Sequence, residues 1–541
     1  MKRLFGFFLL LALLCLTGCF GTETEPAPQA TNEETTAEIT TPETTAAEAE
    51  HVHAFTEKVQ NDEYLKQSAS CGDRPIYYYS CACGEHGTAT FRGDPVPHSY
   101  GVSVTDAGVI ERAYCTNEGC DHVETLGITL PTVGTLTGAL NCSDAGYRGT
   151  DSAKIFYYSN CQSTDYTTAL RSLQSVGCTQ EGTYRLGDNR YSLLRCDKFT
   201  AYLSYLADEG AVRVYIGRAD DLIPSRIDPG IGQITPALWQ INVNCQVAKA
   251  NGGMSYVLQL SDGKFLVIDG GYETDADANS IYKVLSENKP QDHEKPIVAA
   301  WFITHMHIDH CGTIRRFTSL YSDKVEVEGF YYNFPYINVG DIWPSNSLTW
   351  ETLMRSWKGA TLYRKLHSGM QFAFAGAKIT VLCTFEDVYP LSFNSGNDTS
   401  TVFKVEIAGQ SILFLGDAEF GESDVMMHLP ADVLHADIMQ YAHHGYENQC
   451  RGELYQKIDP ETVLWPMPFV NWQSDSYGKV FQPRYEGTLT NKHRENEWIR
   501  GTESVKKIIV MAEGTTKLDL PYTPTGARNA DYDALYRQQL P

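Results

Sequence analysis

The run Pro296-Ile297-Val298-Ala299-Ala300-Trp301-Phe302-Ile303-Thr304-His305-Met306-His307-Ile308-Asp309-His310-Cys311 decides how this chain is read. From Pro296 to Ile303 the side chains are apolar without a break, which suits a strand buried on both faces in a layered α/β domain. That strand delivers the chain directly into three histidines and an aspartate. On an extended segment His305 and His307 project to one side, while Asp309 and His310 turn toward a neighbouring position. Imidazole and carboxylate are good zinc ligands, and one loop of this composition can feed two cations a few ångströms apart. A merely polar surface turn would not account for so apolar a strand ahead of it.

Working outward, residues 255–260 and 264–269 read as strands around Ser261-Asp262-Gly263, a hairpin signal. Residues 276–287 have helical spacing, and a helix resumes after Cys311. Later, Gly396-Asn397-Asp398-Thr399-Ser400 precedes a strand, and an apolar strand over 411–415 ends at Gly416-Asp417-Ala418-Glu419. A further strand runs into Ala442-His443-His444-Gly445. Residues 461–465 and 506–511 read as strands, and 491–500, with His493 on its surface, as a helix.

The sequence His-x-His-x-Asp-His after a strand, with Ile268-Asp269-Gly270-Gly271 upstream, resembles the signature of the metallo-beta-lactamase-fold superfamily. With Asn397 and Asp398 rather than a histidine before the later hairpin, the set is most similar to the hydrolase domain of bacterial competence DNA-uptake channel proteins. The resemblance skips everything before about residue 245. It implies an αββα sandwich over residues 241–525 and a centre of two divalent metal ions, zinc ahead of manganese. His305 and His307 would serve the first ion, and Asp309 and His310 the second. Asp417 would lie between them, and His443 would complete the second site with His444 as its neighbour or substitute. Asp309 and His444 are the candidate catalytic residues, Asp269 orients the histidine loop, and Asn397 stands beside the site. Many members add a histidine ahead of the bridging aspartate. Here Asn397 and Asp398 occupy that segment and His367 falls too early, so the first ion would rest on an oxygen-richer set that manganese tolerates. The implied chemistry is hydrolysis by an activated water, on a phosphodiester or related ester. Lactones, thioesters and beta-lactams are the alternative substrates, because the fold alone does not choose among them. A surface binding protein with a non-catalytic scaffold is a reading of another class, and the joint presence of all these ligands speaks against it.

Ahead of this domain, residues 51–125 repeat a pattern in which a His-x-aromatic opening is followed by a cysteine pair: His53 with Cys71, Cys81 and Cys83, then His98 with Cys115, Cys120 and His122. Units this small own no core, so ribbon-like modules stapled by structural zinc are expected, with disulfides as the alternative in an oxidising compartment. Residues 126–240 read as a separate small α/β unit, with strands near 154–158, 191–195 and 211–216 and a helix over 165–176.

The chain opens Met1-Lys2-Arg3, continues apolar to Leu16 and reads Leu16-Thr17-Gly18-Cys19. This resembles a bacterial lipoprotein signal over residues 1–19, which implies a lipid on Cys19 and an extracytoplasmic, membrane-anchored protein. Residues 20–50 are almost only Thr, Glu, Ala and Pro, a tether that cannot bury enough apolar surface to order itself, and 526–541 reads as a tail. The 541 residues carry 67 acidic against 43 basic side chains, a formal net charge of −24. Such a balance disfavours duplex nucleic acid, whose affinity comes from neutralised phosphates, and points to a small-molecule or short phosphodiester substrate.

Overall fold

The computed structural model describes residues 52–99, 104–106, 110–117, 120, 123–127, 144–150, 153–197, 199–219, 221, 223–224, 232–243, 252–335, 344–388, 396–446, 449–467, 502–511 and 514–525. Cys19 with its leader, the 20–50 tether, His122, the helix expected over 491–500 and the 526–541 tail lie outside the described residues. Among the described residues no helix is long and apolar enough to cross a membrane. The chain divides into two compact units, Met1–Val96 and Pro97–Pro541.

Two sheets face each other in the larger unit. The first runs in the order Thr361–Tyr363, Gly329–Tyr331, Ile297–Phe302, Phe265–Asp269, Ser255–Gln259, Ala237–Gln240 and Thr516–Asp519. Its first four strands are parallel to one another and the rest antiparallel. The second runs Gln371–Phe374, Ala377–Cys383, Val402–Ile407, Gln410–Phe414, Ile438–Gln440, Thr462–Trp465 and Lys507–Val510, parallel from Gln410–Phe414 onward. Both sheets therefore receive an edge strand from beyond residue 500.

Why the opening run is apolar throughout is now visible. Ala300 and Phe302, with Leu266 and Ile268, pack into the core between the sheets against Phe403 and Phe414. Val298 and Trp301, with Phe265 and Val267, pack on the other face under the helices Asp275–Asn288 and Ile308–Tyr321 through Ile281, Leu285, Ile314 and Phe317. A strand covered on both faces has no polar side to show. On the far side of the second sheet, Leu454, Tyr455 and Ile458 of the helix Gly452–Ile458 complete an αββα layering.

The expectation of a separate unit over 126–240 is corrected. Its strands form a six-stranded antiparallel sheet in the order Asp144–Thr150, Ala153–Ser159, Ala211–Arg218, Phe199–Leu206, Asn189–Arg195 and Thr179–Leu186. One face holds the helix Ser163–Ser175, but the other, through Tyr157, Leu193, Tyr202 and Tyr215, shares the main core with the two sheets above. Buried polar contacts fix it there. Tyr202 Oη donates to the Ser368 carbonyl at 2.7 Å, and Arg213 pairs with Asp387 at 2.5 Å with both side chains almost fully enclosed. Unpairing either charge would leave the other stranded in low dielectric, so the sheet is held in one orientation. Cys161, at the end of this sheet's second strand, is disulfide-bonded. The strand Ala237–Gln240 belongs to the first large sheet, so the sandwich begins a few residues ahead of the expected boundary at 241.

Each ribbon-like module appears as a small antiparallel sheet of three strands. In the smaller unit these are Leu65–Gln67, Ile76–Ser80 and His86–Arg92, and in the larger unit Val104–Asp106, Ile110–Tyr114 and Val123–Gly127.

Candidate metal centre

Four strands, Phe265–Asp269, Ile297–Phe302, Gln410–Phe414 and Ile438–Gln440, release their C-terminal ends toward one place, the position where layered α/β sheets present their chemistry. The Ile297–Phe302 strand ends in an extended segment carrying His305 and His307, and His307 is the N-cap of the helix Ile308–Tyr321. Asp309 and His310 thus sit in the first helical turn rather than on a loop, which swings them away from the preceding pair. From the second sheet, Gly416 turns with φ of 58°, close against Thr304, and presents Asp417. Gln440 holds that turn: its Oε1 accepts from Leu415 N and Gly416 N, both at 2.7 Å, and its Nε2 donates to the Gly416 carbonyl at 2.9 Å.

Two sets of ligand atoms result, His305, His307 and Asp417 in one and Asp309, His310, Asp417 and His444 in the other, with the atoms of each set within 4.8 Å of one another. Within the first, His305 Nε2 lies 3.0 Å from His307 Nδ1 and 3.9 Å from Asp417 Oδ2. Within the second, His444 Nε2 is 3.3 Å from His310 Nε2, 3.2 Å from Asp417 Oδ2 and 3.4 Å from Asp309 Oδ2, while His310 Nε2 is 3.1 Å from Asp417 Oδ2. Ligands about 2.0–2.2 Å from a tetrahedral zinc stand about 3.4 Å from each other, so these separations fit residues that would share a cation. Asp417 is 2 % exposed, and its Oδ1 has no hydrogen-bond partner. A buried carboxylate oxygen left in that state asks for a cation.

Residues 248–344, which hold the histidine run, match the family model of the metallo-beta-lactamase superfamily. The chain carries a metallo-beta-lactamase superfamily domain. Its two ligand sets, of imidazole and carboxylate, suit a pair of divalent cations. No curated protein matches the chain. Among solved structures, a mutant of the CmlA beta-hydroxylase is similar at 12% identity over 44% of this chain, with a TM-score of 0.28, and the match spans 47%, about half, of that protein's length. Zinc-bound PqqB from Methylobacterium extorquens matches at 10% identity over 38% of this chain and 72% of its own, with a TM-score of 0.24. A metallo-beta-lactamase from Hirschia baltica matches at 17% identity over 38% of this chain and 84% of its own, with a TM-score of 0.23.

The metallo-beta-lactamase domain orients its imidazoles through Asp269. This fully buried carboxylate accepts from His310 Nδ1 at 2.7 Å, from Thr304 N at 2.8 Å and from Thr304 Oγ1 at 2.7 Å, and the Thr304 hydroxyl is in turn 3.1 Å from His305 Nδ1. Both rings are thereby held with Nε2 facing the centre, an arrangement that also raises ligand basicity. Asp269→Asn keeps the shape and loses the charge. It is expected to weaken metal affinity about 10–100-fold, read by competition against a chelating dye; undiminished affinity would remove the orienting role.

One assignment is corrected. His443 is not in either set, and His444 takes the ligand position. Both residues have left-handed backbone, φ 47° and 53°, so the turn twists between them and only His444 points inward. His444 Nδ1 donates to the Pro466 carbonyl at 2.9 Å, leaving Nε2 for a cation. Gly252 lies flat against this ring, where a Cβ would come within 2.5 Å. His443 instead stands next to Asn397, whose Nδ2 is 3.1 Å from His443 Nε2 and donates to Glu419 Oε1 at 2.9 Å. Glu419 was not singled out from the sequence; its place two residues beyond Asp417 was the available signal. Asp398 does not join the first set, and interacts with the buried Glu422, whose carboxyl burial pushes well up. His367 is likewise remote in role, paired with Glu386 at 2.5 Å and stacked on Tyr202.

Three carboxylates in so enclosed a place retain protons nearby. Burial pushes His444 down, but Asp417 and Asp309 outweigh it and lift the ring to about 9; His310 is lifted well above its ordinary value by Asp417, Asp309 and Asp269 against the same burial. Burial together with His310 and His307 drives His305 well below. A cation entering the second set must displace the protons on His310 and His444. The sign follows: below about 9 protonated His444 competes, so apparent zinc affinity is expected to keep rising with pH above the 6.5 of an ordinary histidine. Metal titrations at several pH values check this, and affinity flat above neutrality would contradict it.

Proposed function

We propose that this protein is an extracytoplasmic, lipid-anchored hydrolase that opens a phosphodiester or related ester of small or short substrates with water activated at the centre described above. The observation that carries the reading is the sharing of Asp417 by two ligand sets, which builds a binuclear site. Bound there, a pair of divalent cations, zinc ahead of manganese, makes water nucleophilic near neutral pH and draws charge from the scissile bond.

The side chains have separable parts in this reading. His305 and His307 hold one position, Asp309, His310 and His444 the other, and Asp417 spaces them. Asp309, the more exposed carboxylate of its set at 18%, also accepts a proton from water on the solvent side. His443 and Asn397, polar and beside the centre, supply hydrogen bonds to the oxygens of a phosphoryl or acyl group. The acidic balance of the chain supports a short substrate over long nucleic acid. The lipoprotein-like sequence ending at Cys19 supports the anchor.

The test is a turnover screen of purified protein on a nitrophenyl phosphodiester, a phosphomonoester, a lactone, a thioester and a cephalosporin, with His307→Ala alongside. Phosphodiester turnover that disappears with chelator and in the variant is expected. Hydrolysis of the lactone, thioester or cephalosporin alone would reassign the substrate, and no metal-dependent turnover on any of them would end the hydrolase reading. Release of the protein from the membrane fraction by Cys19→Ala is the companion expectation, and unchanged partitioning would refute the anchor.

A further inference from the structure

Two clusters of sulfur and imidazole lie outside the hydrolytic centre, one in each three-stranded module. In the first, His53, Cys81 and Cys83 bring ligand atoms within 4.8 Å of one another, and Cys83 Sγ is 3.2 Å from His53 Nδ1. Cys71, expected from the sequence to complete this set, is not part of it. The cysteines form the turn between Ile76–Ser80 and His86–Arg92, and that turn is fixed: Cys81 N donates to the Glu85 carbonyl at 2.8 Å, and Gly84 N to the Cys81 carbonyl at 2.9 Å. The histidine is delivered by a paired segment, since Glu57 and Ser80 exchange two backbone hydrogen bonds of 3.0 Å. Phe55, stacked on the His53 ring, lies against Gly87 so closely that a Cβ there would come within 2.8 Å of it.

In the second module His98, Cys115 and Cys120 converge in the same way, with Cys120 Sγ 3.5 Å from His98 Nδ1. Thr116 N donates to the Ser99 carbonyl at 2.7 Å and Asn117 Nδ2 to the Pro97 carbonyl at 3.2 Å, which ties the histidine segment to the cysteine turn.

A zinc ion about 2.3 Å from sulfur and 2.0–2.1 Å from nitrogen sets a sulfur to nitrogen edge of about 3.6 Å, close to both measured separations. A disulfide would use two thiols and give the histidine no task, yet each cluster contains one. The first module also lacks another source of stability. Among its described residues the buried apolar side chains are Tyr64, Pro75 and Cys81, far short of a core that holds a small domain together.

We infer that each module binds one thiolate-seeking divalent cation, zinc first, through His53, Cys81 and Cys83 in one and through His98, Cys115 and Cys120 in the other, and that these ions are structural. In the first, His53 and Cys83 are exposed, so a position on the ion faces solvent.

The test uses the full-length purified protein and an organomercurial, which displaces zinc from thiolates but leaves histidine and carboxylate sites intact, with a zinc-sensitive dye as readout. About two ions per chain are expected from the wild type, half as many from Cys83→Ser and from Cys120→Ser, and the full wild-type amount from Asp417→Ala. The last arm separates this inference from the hydrolytic one, because the centre at Asp417 contains no thiol ligand. Cobalt-loaded protein gives a second readout, a sulfur-to-metal charge-transfer band that weakens in each cysteine variant even where folding survives. Mercurial release that is absent, or equal in the wild type and both cysteine variants, overturns the proposal. So does finding these cysteines blocked from alkylation until a reductant is added.

Discussion

Asp417→Ala is expected to empty both positions of the metal centre together and to abolish turnover. The carboxylate lies 3.1 Å from His310 and 3.2 Å from His444 in one set and 3.9 Å from His305 in the other, and among the described residues no other side chain belongs to both. Its removal withdraws the charge that lifts His310 and His444 and leaves those rings without a cation to face. A metal contributes several kcal/mol of transition-state stabilisation, and at about 1.4 kcal/mol per tenfold the loss comes to about a thousandfold or more in kcat/KM. Metal content and activity measured on the same preparation decide the matter. A variant that kept two ions, or kept activity with none, would refute the shared-ligand arrangement.

The second large effect separates neighbours. His444→Ala should lose the ion of the second set, because one fewer ligand leaves Asp309, His310 and Asp417 to hold it, and should reduce kcat by about a hundredfold or more. His443→Ala should retain full metal content, since its ring lies beside Asn397 and Glu419 instead. A smaller loss of activity is expected there, visible mainly in KM if His443 contacts substrate. The reverse ranking in metal content would reinstate His443 as the ligand.

Why the sequence left that pair undecided is physical. Apolar strands, the histidine run and Asp417 are local signals, each readable from a few consecutive residues, and they carried the sandwich and most of the ligand set. Choosing between His443 and His444 depends on two positive φ angles and on a carbonyl from Pro466, 22 residues on and in another element's wake. The docking of the 153–218 sheet was illegible for a related reason. Tyr202 meets Ser368 across 166 positions, and nothing in either neighbourhood announces the other. His367, too early for the metal centre, is part of that docking surface, so a histidine that looked like a misplaced ligand is accounted for by packing. Cys71 illustrates the limit of composition, because a cysteine near two others in sequence need not join them in space.

The late strands Lys507–Val510 and Thr516–Asp519 bear on how the molecule is made. Each closes the rim of a different sheet, the second by pairing with Ala237–Gln240 across about half of the polypeptide. A nascent chain stalled or clipped before residue 507 would present two raw β-rims at once, open to pairing with other molecules. Closure of both sheets therefore waits for these late strands, and trimming ahead of them is expected to favour association between chains over a shorter folded form.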